Sequence, residues 1–223
     1  MSSIDALSPN INKEDSIVVQ SSTIKSLAHS MGFFACGIAK AAPVDKAVAQ
    51  KYRKWLENGE EASMAYMTNY LEKRLDPRLL VPGVRSIVSL ALNYAPAQQL
   101  PKGEYQIAAY ALGLDYHDLM KQKMRELAIK ITERWQLPKQ EEGEEPSVRC
   151  FCDTAPVLER YWAQKAGLGW VGRNHQLIIP HAGSMFFLGE IFLPFDVDVY
   201  DEAMSNRCGS CHRCIDACPT RAI

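Results

Sequence analysis

Four cysteines fall in the run Cys208-Gly-Ser-Cys211-His-Arg-Cys214-Ile-Asp-Ala-Cys218-Pro219. The spacing, C-x2-C-x2-C-x3-C-P, is the one with which bacterial ferredoxins set thiolates around an iron–sulfur cluster. The first three are expected on one tight turn, so that three sulfurs converge on three corners of a cubane. The fourth follows after a longer step, on a short helical turn that Pro219 ends. In two-cluster ferredoxins that fourth cysteine ligates the other cluster. Zinc also uses C-x2-C pairs, but usually with a long spacer between two of them. A disulfide is out of place in a cytosolic chain, and chance packing does not gather four of seven cysteines in one short run. Iron–sulfur chemistry is the expectation. No second run follows before Ile223. A first cubane is thus expected to lack its usual fourth ligand, as in a piece of a longer protein or in a degraded site.

The 223 residues suffice for one large domain, or one domain with a small appendage. A composition 47% hydrophobic and 23% charged is that of an ordinary globular protein. With a net charge of −1, any nucleic-acid surface must be local. The polar N-terminus has no apolar core, so no signal peptide is expected. No apolar run is long enough to cross a bilayer. Cytoplasmic location is the expectation, and it suits free thiolates.

Along the chain, residues 1–15 read as a flexible tail. An apolar stripe over 16–31 predicts a helix closed by Gly32. A short strand is predicted over 33–39 and a second helix over 44–57. Met64, Met67 and Leu71 recur at helical spacing and read as core. The stretch 72–77 reads as a turn that delivers Arg74 and Arg78. Residues 84–94 form the strongest central-strand candidate, and 105–112 a possible short strand. Asp115 is placed to cap a long helix over 116–135, whose other face is basic. Residues 139–146 read as an acidic loop. A strand over 148–152 delivers Asp153, and Thr154 and Pro156 are expected to open a helix directly after it. A glycine-rich elbow, Gly167 to Asn174, follows. The segments 176–179 and 185–193 then read as a hairpin. Strands mixed with helices, without regular βαβ repetition, predict an α+β body over 16–200. A small ferredoxin-like appendage begins at 201.

Asp153, at a strand end before a helix and an elbow, suits an acid–base group. Plain helix capping fits that position equally well. The elbow could cradle a phosphate, but it lacks the ending of a P-loop and does not match GxGxxG. The histidines are dispersed, without a paired metal motif. Cys36, Cys150 and Cys152 read as packing residues.

Together, Lys73-Arg74, Tyr110-Ala-Leu-Gly-Leu-Asp115-Tyr116-His117, Asp153-Thr-Ala-Pro-Val-Leu-Glu159-Arg160 and Ala166-Gly-Leu-Gly-Trp170-Val-Gly resemble the epoxyqueuosine reductase family. Ser184-Met-Phe-Phe-Leu-Gly-Glu190 and the cysteine run continue the resemblance, which covers about residues 20 to 223. It implies a cobalamin-dependent oxidoreductase with two 4Fe–4S clusters, which reduces epoxyqueuosine to queuosine at the tRNA wobble position. The implied fold is a nitroreductase-like cobalamin domain followed by a ferredoxin-like module. Asp153 matches the family's proposed proton donor. Arg74, Tyr116, His117, Arg160, Gly169, Trp170, Arg173 and Asn174 fall where the family lines its cofactor and substrate cavity. Cys208, Cys211, Cys214 and Cys218 fall on its cluster ligands. The implied partners are tRNA carrying epoxyqueuosine and an electron donor such as a flavodoxin or ferredoxin system. A monomer without a membrane partner is the expected state. Two positions depart: Ala109 stands where many relatives have arginine, and Ala108 where some carry cysteine. The alternatives are another corrinoid reductase of dehalogenase type, an electron-transfer module and an inactive fragment.

Overall fold

The computed structural model describes residues 19–98, 100–101, 103–136 and 148–223. The tail over 1–15 and the acidic loop over 139–146 lie outside them.

At the centre is a four-stranded sheet of β1 (Ala35–Lys40), β2 (Ser86–Asn93), β6 (Phe186–Leu193) and β3 (Arg149–Phe151). The spatial order is β1-β2-β6-β3, and every pair is antiparallel. Because side chains alternate across a pleat, the central strands feed two cores. Val88, Leu90, Ile191 and Leu193 face one, while Ile87, Ala91 and Phe192 face the other. Both faces are covered, which is why β2 reads as an almost continuous apolar run. An α+β architecture results, as the sequence predicts.

The first core is roofed by α1 (Ser21–Ser30) and α5 (Tyr116–Arg134). Helix α5 forms as predicted. The Asp115 carboxylate accepts the His117 backbone N–H at 2.9 Å. Met120, Met124, Leu127 and Ile131 recur at three to four residues and are wholly buried. Burying each such side chain stabilises the fold by roughly 1.5–3 kcal/mol. The helix sits close to the sheet because Gly189 faces it: a Cβ there would lie 2.7 Å from the Met124 sulfur. The second core is covered by α6 (Glu159–Lys165), whose Trp162 is buried at 2% exposure.

The end of the body is strapped to its beginning. Val19 bridges Val197, and Asp198 accepts the Ser21 N–H at 2.7 Å. The carboxylate of Asp201 pairs with Lys25 at 2.6 Å and accepts the Ile38 N–H at 2.8 Å. Contacts therefore cross the boundary expected at residue 200.

Five expectations are corrected. The methionine stretch is no core helix. Only Ala65–Thr68 form a short 3-10 turn, Met64 is exposed, and Tyr70 takes a left-handed φ of 54° that breaks the run. After it come two short helices, α3 (Leu71–Leu75) and α4 (Pro77–Leu80), in place of a turn. Residues 105–112 form no strand. Tyr105 and Ile107 stay exposed, and Ala109–Ala111 make a 3-10 turn, because no layer covers this apolar stretch. Helix α6 begins at Glu159, with Leu158 at its N-cap, so Thr154 does not open it. Tight backbone bonds, Thr154 N–H to Cys152 and Val157 N–H to Ala155, hold the intervening residues in turns. Finally, β5 (Leu177–Ile178) pairs with β4 (Trp170–Val171), and the predicted hairpin with β6 does not form. Strand β6 inserts between β2 and β3 instead.

Candidate active site

The end of β3 delivers Asp153 to the surface with a left-handed φ of 56°, a conformation that Asp tolerates better than most residues. From the start of α5 come its two neighbours. The Tyr116 hydroxyl donates a short hydrogen bond to Asp153 Oδ2, and His117 Nε2 stands 3.5 Å from the same oxygen. Asp115 Oδ1 holds the other ring nitrogen of His117 at 2.8 Å, which fixes the ring. Tyr116 also stacks on Phe187 of β6 with ring centroids 4.0 Å apart. Burial, then the bond to Asp153, pushes its phenol well above the ordinary range. Tyr116 is therefore a donor to the carboxylate, not a base. These residues do not enclose Asp153, whose side chain is 45% exposed. Helix α6 starts six residues later, so the helix N-terminus beside Asp153 is that of α5, which carries Tyr116 and His117.

Two more carboxyls lie behind it. Glu159 Oε1 accepts the Asp153 backbone N–H at 2.5 Å. Burial, then the charge of Asp153, raises the Glu159 carboxyl to about 8. Glu190, in mid-β6, is completely buried, and neither of its oxygens has a hydrogen-bond partner. Burial, then Glu159 and Asp153, holds it far above the usual carboxylate range. A pH dependence follows from Glu159. Between about pH 4.5 and about 8 the folded protein keeps a proton that the unfolded chain has lost. Stability is expected to fall as pH rises through that window. Glu159→Gln is expected to flatten the slope, as thermal melts at stepped pH would record.

The remaining candidates lie elsewhere. Arg74 is on α3, and its Nε is buried without a partner; its charge acts on the Tyr52 phenol. Arg160 donates to the His175 carbonyl. In the elbow, Gly169 is required by packing, since a Cβ would lie 2.1 Å from the Ile178 carbonyl oxygen. Asn174 caps its own turn through the Gln176 N–H at 3.2 Å. Trp170 and Arg173 reach the cysteine run. The indole N–H of Trp170 points at Cys208 Sγ at 3.4 Å, and Arg173 donates to the carbonyls of Gly209 and Cys211 at 2.8 and 2.9 Å.

In that run it is Cys214 that lies in a helical turn, α7 (Arg213–Asp216), and Cys218 follows it. Hydrogen bonding by Trp170, then Arg173, lowers the Cys208 thiol, and Thr220 and the Ala222 N–H bring Cys218 down to about 7. All four thiols are free. Among the described residues no three His, Cys, Asp or Glu side chains close on a single ion. By contrast, burial raises Cys36 and Cys150 to about 12, which fits packing residues.

Residues 74–154 match the family model of epoxyqueuosine reductase QueG, DUF1730. The epoxyqueuosine reductase of Cellulophaga algicola is 43% identical over 203 residues, 91% of this chain and 63% of that protein. That of Leadbetterella byssophila is 44% identical over 203 residues, 91% of this chain and 64% of the relative. Over the matched residues the chain is similar to the epoxyqueuosine reductases. The solved epoxyqueuosine reductase of Streptococcus thermophilus superposes with a TM-score of 0.75 at 28% identity, over 89% of this chain and 52% of that one. An epoxyqueuosine reductase solved with an epoxyqueuosine-modified tRNA-Tyr stem loop gives 0.73 at 26% identity, over 90% and 52%. This chain thus spans less than two thirds of the curated relatives and about half of the solved ones.

The epoxyqueuosine reductase match over 74–154 takes in Arg74, Tyr116, His117 and Asp153, but not Glu159 or Glu190. Sequence reasoning missed the part those two play beside Asp153. A signal was present for Glu190: one charged residue stands inside the apolar strand FFLGEIFL.

Proposed function

We propose that this chain carries the reductive site of an epoxyqueuosine reductase, which strips the epoxide oxygen from epoxyqueuosine in tRNA. The observation that carries this reading is Asp153, a carboxyl presented at the open end of the sheet and gripped by Tyr116 and His117. Such a group suits protonation of an oxygen as its bond to carbon breaks. Tyr116 holds Oδ2, which leaves Oδ1 to carry the proton.

The residues present fit the two cofactors that the resemblance implies. Arg74 offers a buried donor without a partner, suited to a polar rim of cobalamin. Tyr110, Leu112 and Leu114, just ahead of Tyr116, expose apolar surface suited to a corrin face. Cobalamin, when bound, supplies the strong reductant of the reaction, fed by 4Fe–4S clusters. Cys208, Cys211, Cys214 and Cys218 are soft ligands of the kind such clusters take, and N–H donors already point at the sulfurs of Cys208 and Cys218. Within this reading, residues 16–200 form the cobalamin and substrate body, and 201–223 open the ferredoxin-like module. Its partners are modified tRNA and a flavodoxin or ferredoxin donor, and it acts as a cytoplasmic monomer. No helix among the described residues is long and apolar enough to cross a membrane.

Equilibrium dialysis with cob(II)alamin tests the first step. The 223-residue chain is expected to retain it at ~10 μM, and Arg74→Ala to weaken retention several-fold. No retention by the unaltered chain would overturn the reading.

A further inference from the structure

Removal of an epoxide oxygen to leave an alkene takes two electrons and two protons: both C–O bonds break and the oxygen leaves as water. The electrons belong to the reductant of the proposed reaction. Asp153, however, carries one proton, and both are needed at the same oxygen.

The geometry behind Asp153 points to the source of the other. We propose that Glu159 holds the second proton and reloads Asp153 within a single turnover, with Glu190 as the buried acid that keeps this pocket in its proton-bearing state. This inference rests on the proposed reaction. Glu159 and Asp153 are joined through the Asp153 N–H, and the Asp153 side chain lies close enough to act on the Glu159 carboxyl. Behind them Gly37, Ser89, Glu190 and Phe151 form one transverse row across the four strands. Glu190 is the only acid in that row. Both of its oxygens and the Ser89 hydroxyl are buried without partners. An ion there would have only the Ser89 hydroxyl beside it and no counter-charge among the described residues, so the neutral acid is the form the site favours.

The surrounding groups sort the three carboxyls into roles. Tyr116 and His117 of α5 face Asp153 on the solvent side. Glu159 has Asp153 on one side, Glu190 behind it, and Arg160 beside it on α6. The thiol of Cys152 lies among the same acids, and the charge of Lys121 acts on it in the opposite sense. Arg160 and the Asp153 N–H stabilise a Glu159 anion, so Glu159 can release its proton. Glu190 has no such support and stays protonated. The sequence of transfers balances. Asp153 gives its proton to the oxygen as the first C–O bond breaks, and Glu159 then protonates the Asp153 carboxylate. Asp153 gives the second proton as the second C–O bond breaks and water leaves. After product release, solvent returns one proton to Asp153 and one to Glu159.

Infrared spectroscopy of the 223-residue chain reads the array without substrate or cofactor. Un-ionised carboxyl bands from Glu159 and from Glu190 are expected at neutral pH. Glu159→Gln should remove the one that titrates near 8, and Glu190→Gln the one that persists above it. In cofactor-loaded enzyme containing this chain, Glu159→Gln should slow epoxyqueuosine-tRNA turnover about tenfold or more. Small carboxylic acids added to the buffer should restore the rate, which a merely structural lesion would not allow. Glu159→Asp, which retains an acid, should recover most of it unaided. If the bands are absent, or if Glu159→Gln turns over normally or is slow without rescue by added acid, the inference is wrong. If the unaltered enzyme shows both bands but never turns over, the proposed reaction fails, and the inference with it.

Discussion

Asp153→Asn is expected to leave cobalamin retention unchanged and to reduce turnover of epoxyqueuosine-tRNA by roughly a hundredfold or more. The amide keeps the size of the carboxyl and can still accept the Tyr116 hydrogen bond. Asn also tolerates the left-handed backbone of this position as readily as Asp does. What is lost is the transferable proton. The measurement belongs in complete, cofactor-loaded enzyme, with dialysis of the variant as the control for folding. Near-normal turnover would reduce Asp153 to a turn-forming residue that happens to touch Tyr116.

The largest effect on stability is expected at the opposite end of the same transverse row. Gly37 of β1 lies beneath the C-terminal end of α6, and a Cβ there would sit 1.9 Å from the Ala166 carbonyl oxygen and 2.8 Å from Leu168 Cδ1. The nearer obstacle is backbone, which cannot swing aside as a side-chain tip can. Gly37→Ala must therefore lift α6 from the sheet or bend β1, at a cost of about 3 kcal/mol or more. Urea unfolding would register this as a large fall in the midpoint. Because α6 also carries Glu159, the variant is expected to loosen the support behind Asp153. An unchanged midpoint would mean that α6 does not seat on β1 as described.

What could be read from the sequence follows from where its signals are local. Helix α5 was legible because its cap, Asp115, and its stripe of buried residues are both encoded within nineteen consecutive positions. Strand β2 was legible because both of its faces are buried. The Tyr116-His117 pair and Asp153 were each identified, and the structure brings them together. The short helices around Tyr70 and the late start of α6 were not legible, since each is set by a left-handed residue that is not glycine: Tyr70 and Asp153. The pairing of β6 with β2 and β3 is non-local and leaves no trace in turn residues. The proline and glycine after β5 suggested a hairpin that the sheet overrides. Glu159 and Glu190 escaped attention as site residues for a similar reason. Their significance is mutual, arising only when α6 is laid over the middle of β6.

The way Arg173 holds the cysteine run also bears on how much change that run can tolerate. Its guanidinium bonds two main-chain carbonyls, those of Gly209 and Cys211, and touches no side chain there by hydrogen bond. A grip on the main chain is blind to residue identity. The spacer residues between the thiols can therefore vary widely while their loop stays moored to the elbow, provided the backbone path at Gly209, with its φ of 52°, is kept. Tolerance to substitution in the spacers and sensitivity at Arg173 are therefore expected together.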